Sequence, residues 1–212
     1  MTENDARALV DRMNERLEPA DIAYGLAEWR LNTTGDDAAR DEVAAERARW
    51  MRLFSDDAEF ERARALRDAA AGGDDPALAR QLEVLYNFFV EYRYGPDEIE
   101  RIADLEAETI TLFNTHRGEI EGRKVSSNDI ERILTTSNDE VERRAAWEAS
   151  KAVGPVVADR VRELVRLRNR TARRKGFRDY YAQQLAAQEI DEGWLFGTLG
   201  RLAELTERPF AL

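Results

Sequence analysis

Apolar positions recur at three- and four-residue steps along nearly the whole chain, the signature of amphipathic helices. Leu9, Met13, Leu17, Ala20, Tyr24, Ala27 and Leu31 form one stripe that keeps its phase across Pro19. One long helix with a kink at that proline is expected, because proline removes an i→i−4 bond and crowds the preceding turn. Ile22, Leu26 and Trp29 fall on the opposite side, which predicts burial of both faces in the second half. Gly35 supplies the stop.

Asp36 or Asp37 caps a second helix that runs to about Phe54 through Val43, Trp50 and Leu53. A third, from Asp57 to about Ala71, is rich in Ala, Arg and Glu and is expected at the outer surface. Pro76 then sits in the first turn of a fourth helix carrying Leu78, Leu82, Leu85, Tyr86, Phe88, Phe89 and Tyr92, the most apolar segment and the expected centre. Asp97 opens a fifth, through Ile99, Ile102, Leu105, Ile110, Leu112 and Phe113. Glycines at 118 and 122 around Ile120 break the helical period and predict a short β-ribbon or extended loop near 117–125. Capping-box spacings at Asn128/Glu131 and Ser137/Glu140 mark two further helix starts. Helices over 138–153 and 156–175 are expected to break at Gly154-Pro155, followed by one from Asp179 to Gln188. The last is capped by Asp191 and carries Trp194, Leu195, Leu199, Leu202 and Leu205. The fold class is all-α, a multi-helix array forming a single helical unit over 1–212, with no internal repeat.

Composition narrows the function classes. The net charge is −11, from 43 acidic and 32 basic side chains. That balance argues against a nucleic-acid or anionic-membrane partner, which would need clustered positive charge. The chain has no cysteine, so neither disulfides nor thiolate metal sites arise. No apolar run reaches the ~20 residues of a membrane span, and the first residues lack a signal-peptide pattern. A cytoplasmic location is expected.

Candidate chemistry is sparse. His116 is the sole histidine. A His-Glu-x-x-His zinc site needs two imidazoles one helical turn apart. The Glu-x-x-His pattern of di-iron bundles fails too, because Phe113 stands three residues before His116. His116 reads as a helix-end residue meeting the last carbonyls of the fifth helix. Arg168 lies in the apolar sector of its helix, among Val157, Val161, Leu164, Val165 and Ala172, where a guanidinium requires a carboxylate. Glu148, Asp179 or Glu189 would serve, as a buried pair pinning two helices; an anion contact at a cleft wall is the other reading. Tyr180, Tyr181 and the cluster at Tyr86, Phe88, Phe89 and Tyr92 are core aromatics first. No catalytic, cofactor-binding or metal-ligating residue is assigned, and a metal site made of carboxylates alone is the remote third reading.

A family likeness nevertheless runs through the chain. It is carried by Trp147-Glu148-Ala149-Ser150-Lys151, Val153-Gly154-Pro155, Leu167-Arg168-Asn169 and Gly176-Phe177-Arg178-Asp179-Tyr180-Tyr181. It takes in Phe113-Asn114, Arg117-Gly118-Glu119-Ile120-Glu121-Gly122, Ile133-Leu134, Gln188-Glu189-Ile190-Asp191 and Trp194-Leu195, and more weakly the stretch from Trp29 to Gly35. These segments resemble the helical zinc metallopeptidases that include angiotensin-converting enzyme, thimet oligopeptidase and oligoendopeptidases, with a fold like the N-terminal half of a neurolysin-like zincin.

The resemblance implies an all-helical channel that admits short peptides and a zinc held by His-Glu-x-x-His. None of the catalytic residues is matched here, so zinc is expected only in a full-length member. The chain is accordingly expected to be an N-terminal part, incomplete at its C-terminus and inactive by itself. Residues 1–116 would be lid-like and 126–212 would be channel wall. Its partners would be short peptides once a catalytic half is present, and a packing partner on an exposed apolar face. The alternative is a stand-alone helical interaction module, which would close its core around the helix at 191–206.

Overall fold

A computed structural model describes residues 2–211. Its order is α1 (Glu3–Thr34), α2 (Asp37–Arg52), α3 (Asp57–Ala70), α4 (Pro76–Tyr92), α5 (Pro96–Thr115), β1 (Gly118–Ile120) and β2 (Arg123–Val125). Then come α6 (Ser127–Thr136), α7 (Glu140–Lys151), α8 (Val153–Arg174), α9 (Tyr180–Ala187) and α10 (Glu192–Phe210). The all-α expectation holds, with the small antiparallel ribbon where the glycines placed it. None of the described helices is long and apolar enough to cross a membrane. The chain divides into two compact units, one taking the chain to Pro19, Trp50–Pro96 and the chain from Leu167, the other Ala20–Arg49 and Asp97–Arg166.

The first unit is organised around α4, which packs against α3 and α9. Leu78, Leu82, Leu85 and Phe89 are buried from α4, and Phe60, Ala63 and Leu66 from α3. Rings knit these together: Phe54 meets Phe89 edge-on at 5.4 Å, Trp50 meets Tyr92 at 4.6 Å, and Phe60 stacks on Tyr86 at 5.6 Å. Each fully buried ring or branched side chain contributes roughly 1.5–3 kcal/mol relative to exposure. Guanidiniums cover the outer ring faces, Arg67 over Tyr86 at 3.7 Å and Arg93 over Phe60 at 3.9 Å.

The second unit has two apolar clusters. Ala27, Leu31, Ala39, Val43 and Ala107 form one, with Tyr24 and Ile110 packed on it. Arg47 lies over the Tyr24 ring and donates to Glu106 Oε2 at 2.9 Å, while Tyr24 donates its hydroxyl proton to Glu28 at 2.6 Å. Burial first, then that carboxylate, holds the Tyr24 phenol well above its ordinary pKa. The other cluster joins Ile130, Ala146 and Ala149 to Ile120, Val125, Ile133 and Leu134. The ribbon pairs Gly118 with Val125 and Ile120 with Arg123. Its two-residue turn has both φ values positive, Glu121 at 50° and Gly122 at 77°, as the right-handed strand twist favours.

Several local expectations are corrected. The α3 helix, exposed along its outer side, nevertheless turns Phe60, Ala63 and Leu66 inward on one face. Ile22, Leu26 and Trp29 are exposed, so the second half of α1 is buried on one side only. Gly154 and Pro155 fall inside the first turn of α8, where proline's missing N–H has no partner to lose. The caps of α6 and α7 each sit two residues away from the expected ones. Ser126 forms the capping box with Asp129, and Asp139 caps α7 through Val141 and Glu142.

Candidate functional surface

The residues that carry the family likeness build scaffold, and the α8–α9 turn shows how. Gly176, at φ 91°, lets the chain leave α8 in the left-handed region. Asp179 then caps α9, accepting from the Ala182 N–H at 2.9 Å. That backbone bond, with Arg178 beside it, holds the Asp179 carboxyl below the usual carboxylate range. Arg178 forks between Asp179 at 3.0 Å and Glu192 at 2.7 Å, so one guanidinium ties the starts of α9 and α10. Asn169 accepts from the Tyr180 N–H at 2.8 Å.

Two further side chains reach the open C-terminal end of α4. Lys175 Nζ donates to the carbonyls of Val90 and Glu91 at 3.0 and 3.2 Å, and Gln183 Nε2 donates to the same pair at 2.9 and 3.0 Å. The last carbonyls of a helix lack intrahelical donors, so these groups complete them. Gln183 is fully buried while doing so. The sequence held a clue in Lys175, a cation just after a long helix, but no pattern signalled Gln183.

The two single residues nominated from sequence lie on α8 and just after α5. The Arg168 guanidinium lies over the Tyr180 ring at 4.9 Å. The three nominated acids each meet another arginine: Glu148 with Arg144, Asp179 with Arg178, and Glu189 with Arg80. The buried stripe of α8 is also rotated from the expected one. Leu164, Leu167, Thr171 and Ala172 are buried, whereas Val161 and Val165 are exposed, which places Arg168 at the stripe's edge. His116 follows the last turn of α5, but it is Arg117 that donates to carbonyls there, of Asn114 at 2.9 Å and of His116 itself at 2.8 Å. The His116 Nε2 is shielded and has no hydrogen-bond partner among the described residues.

Zinc, the ion implied by the family likeness, can be tested against the donors present. Among the described residues no three His, Cys, Asp or Glu side chains come together to hold a metal ion. With one imidazole and no thiol, the donor set does not fit a hydrolytic zinc.

What the surface offers instead is apolar. The α10 helix buries none of its residues. Trp194 is 65% exposed, Leu205 63% and Phe210 88%, and Phe196, Leu199 and Leu202 are exposed beside them. On a helical wheel these positions span a broad arc, with Arg201, Glu204, Glu207 and Arg208 toward the other side. Its inner end is held by Arg178 on Glu192 and by Tyr181, whose ring lies 6.5 Å from Phe196. The core of the described residues is thus not closed around this helix. Compared with known families, residues 1–193 match the model of a peptidase family, described as angiotensin-converting enzyme.

Proposed function

The chain belongs to the angiotensin-converting enzyme family of peptidases, and from that premise we propose that it is the helical, substrate-channel and lid portion of a cytoplasmic zinc-dependent oligopeptidase. In this reading the zinc ligands and the general base lie in polypeptide beyond these residues. The chain contributes walls that admit short peptides, and has no turnover alone.

One observation carries the reading: α10 exposes a row of large apolar side chains that nothing among the described residues covers. Contiguous apolar faces of this kind are uncommon on self-sufficient monomers and mark a surface made to be packed. A stand-alone module would have folded its core over this helix. The motifs shared with the family support the same view, since they stabilise turns and helix ends rather than present reactive groups.

The test has two arms. The reading frame following codon 212 in the gene is expected to encode His-Glu-x-x-His, and the product of the whole frame is expected to cleave quenched short peptides in a chelator-sensitive way. The 212-residue chain supplied with zinc is expected to cleave none. A gene without that motif, or zinc-dependent turnover by the 212-residue chain, overturns the proposal.

A further inference from the structure

A cavity of about 300 Å³ lies among the ribbon, the end of α5, α6 and α7 in the second unit. Much of its wall is apolar, with Phe113, Val125, Ile130 and Leu134 contributing. Ser127 brings a hydroxyl that can donate or accept, but the other polar groups of that wall offer mainly lone pairs. Ser150 has given its one hydroxyl hydrogen to the Trp147 carbonyl at 2.6 Å, and Thr135 has given its own to the Glu131 carbonyl at 2.9 Å. Both hydroxyls are left with lone pairs only. The Glu131 carboxylate, also an acceptor, has no ion pair among the described residues. His116 is another wall residue.

We propose that this cavity binds a small molecule with an aromatic or branched apolar body and a primary ammonium group. An ammonium carries three donors and no acceptor, the complement of a wall that mostly accepts. The body replaces water against the apolar side chains, and the charge stays at the solvent-exposed Glu131, where it keeps part of its hydration. Two sources share this chemistry, a free arylalkylamine and the N-terminus of a short peptide that begins with a hydrophobic residue. The cavity shares no lining residue with α10, and its test is independent of peptidase activity.

Because His116 is the sole histidine, its imidazole C–H signals report on the cavity without assignment ambiguity. The 212-residue chain is titrated with 2-phenylethylamine, with 2-phenylethanol as a neutral counterpart of similar shape, and with phenylalanyl-alanine amide. The amine is expected to move the His116 signals saturably, and the alcohol to bind on the order of tenfold more weakly. Glu131→Gln, a change at an exposed position, is expected to cut amine affinity by a similar factor while leaving the melting temperature and the alcohol's affinity alone. Binding of the dipeptide amide assigns the site to peptide N-termini, and binding of the simple amine alone assigns it to free amines; either supports the proposal. No saturable shift with either amine, equal affinity for the alcohol, or an unaffected Glu131→Gln variant overturns it.

Discussion

Gly118 on the ribbon and Ala149 on α7 approach so closely that a Cβ on Gly118 would stand 2.7 Å from the Ala149 carbonyl oxygen. The obstructing atom is backbone, so it cannot swing aside as a side chain would. Gly118→Ala is therefore expected to destabilise the second unit by about 1–3 kcal/mol, through forced separation of ribbon and helix. Gly25→Ala is the matched control. That site lies within α1 with nothing inside 4 Å of the added carbon, so stability should rise by up to about 1 kcal/mol. Thermal melts of the two variants check both signs.

Gln183 is expected to matter more than its neutral, uncharged character suggests. Gln183→Leu removes the donor that completes the Val90 and Glu91 carbonyls while keeping similar bulk. A loss of about 1–3 kcal/mol is expected, the cost of leaving buried acceptors short of a donor. Lys175→Met should cost less, because Lys175 is only half-buried and shares both acceptors. Denaturant unfolding of the single and double variants will show coupling between the two sites, since each can partly cover for the other.

Much of this architecture was legible from periodicity alone. The stripe from Leu9 to Leu31 did become one helix through Pro19, and Asp191 did cap the last helix, its Oδ1 accepting from the Trp194 N–H at 2.6 Å. The errors arose where a face rather than an element had to be assigned. Ile22, Leu26 and Trp29 have the spacing of a buried stripe, but spacing does not say whether a neighbour exists to cover it. The same ambiguity affected α8, where Val161 and Val165 are exposed and Leu167 is buried; the valine-rich sector looked inward, and tertiary packing chose another. Arg168 was placed at the centre of a stripe, and it lies at the edge with its guanidinium over an aromatic face. The cavity wall was not legible at all, because its residues are spread from Phe113 to Val153 and its character depends on where hydroxyl hydrogens go.

Acid should weaken the fold through its helix caps. Asp36, Asp75 and Asp179 are each held below the usual carboxylate range, first by the backbone N–H groups they cap, and Asp129 by the Ser126 hydroxyl. A carboxyl whose pKa is lower folded than unfolded adds stability above the unfolded value, and that stability is lost as the pH falls through the folded one. The melting temperature is expected to hold steady near neutrality and to drop as the pH passes below about 4. Asp75→Asn and Asp179→Asn should flatten that drop, which a series of melts across the range will reveal.

Charges placed on the outer arc of α10 should be tolerated. Leu199→Lys with Leu205→Lys is expected to change stability by no more than about 0.5 kcal/mol per site, as for other exposed positions. The same pair should reduce binding of a hydrophobic dye and any self-association seen by light scattering. A large fall in melting temperature would show that these leucines are covered in solution.

The tether at the inner end of α10 has a dynamic corollary. Beyond the Arg178 fork and the Tyr181–Phe196 ring contact, little but local helix propensity holds its remaining turns, and Gly197 and Gly200 lower that propensity. An unsupported helix of this length is only marginal in water. Its outer amides should exchange with deuterium within seconds while those of α4 stay protected far longer, so the segment would gain most of its order only when something settles upon it.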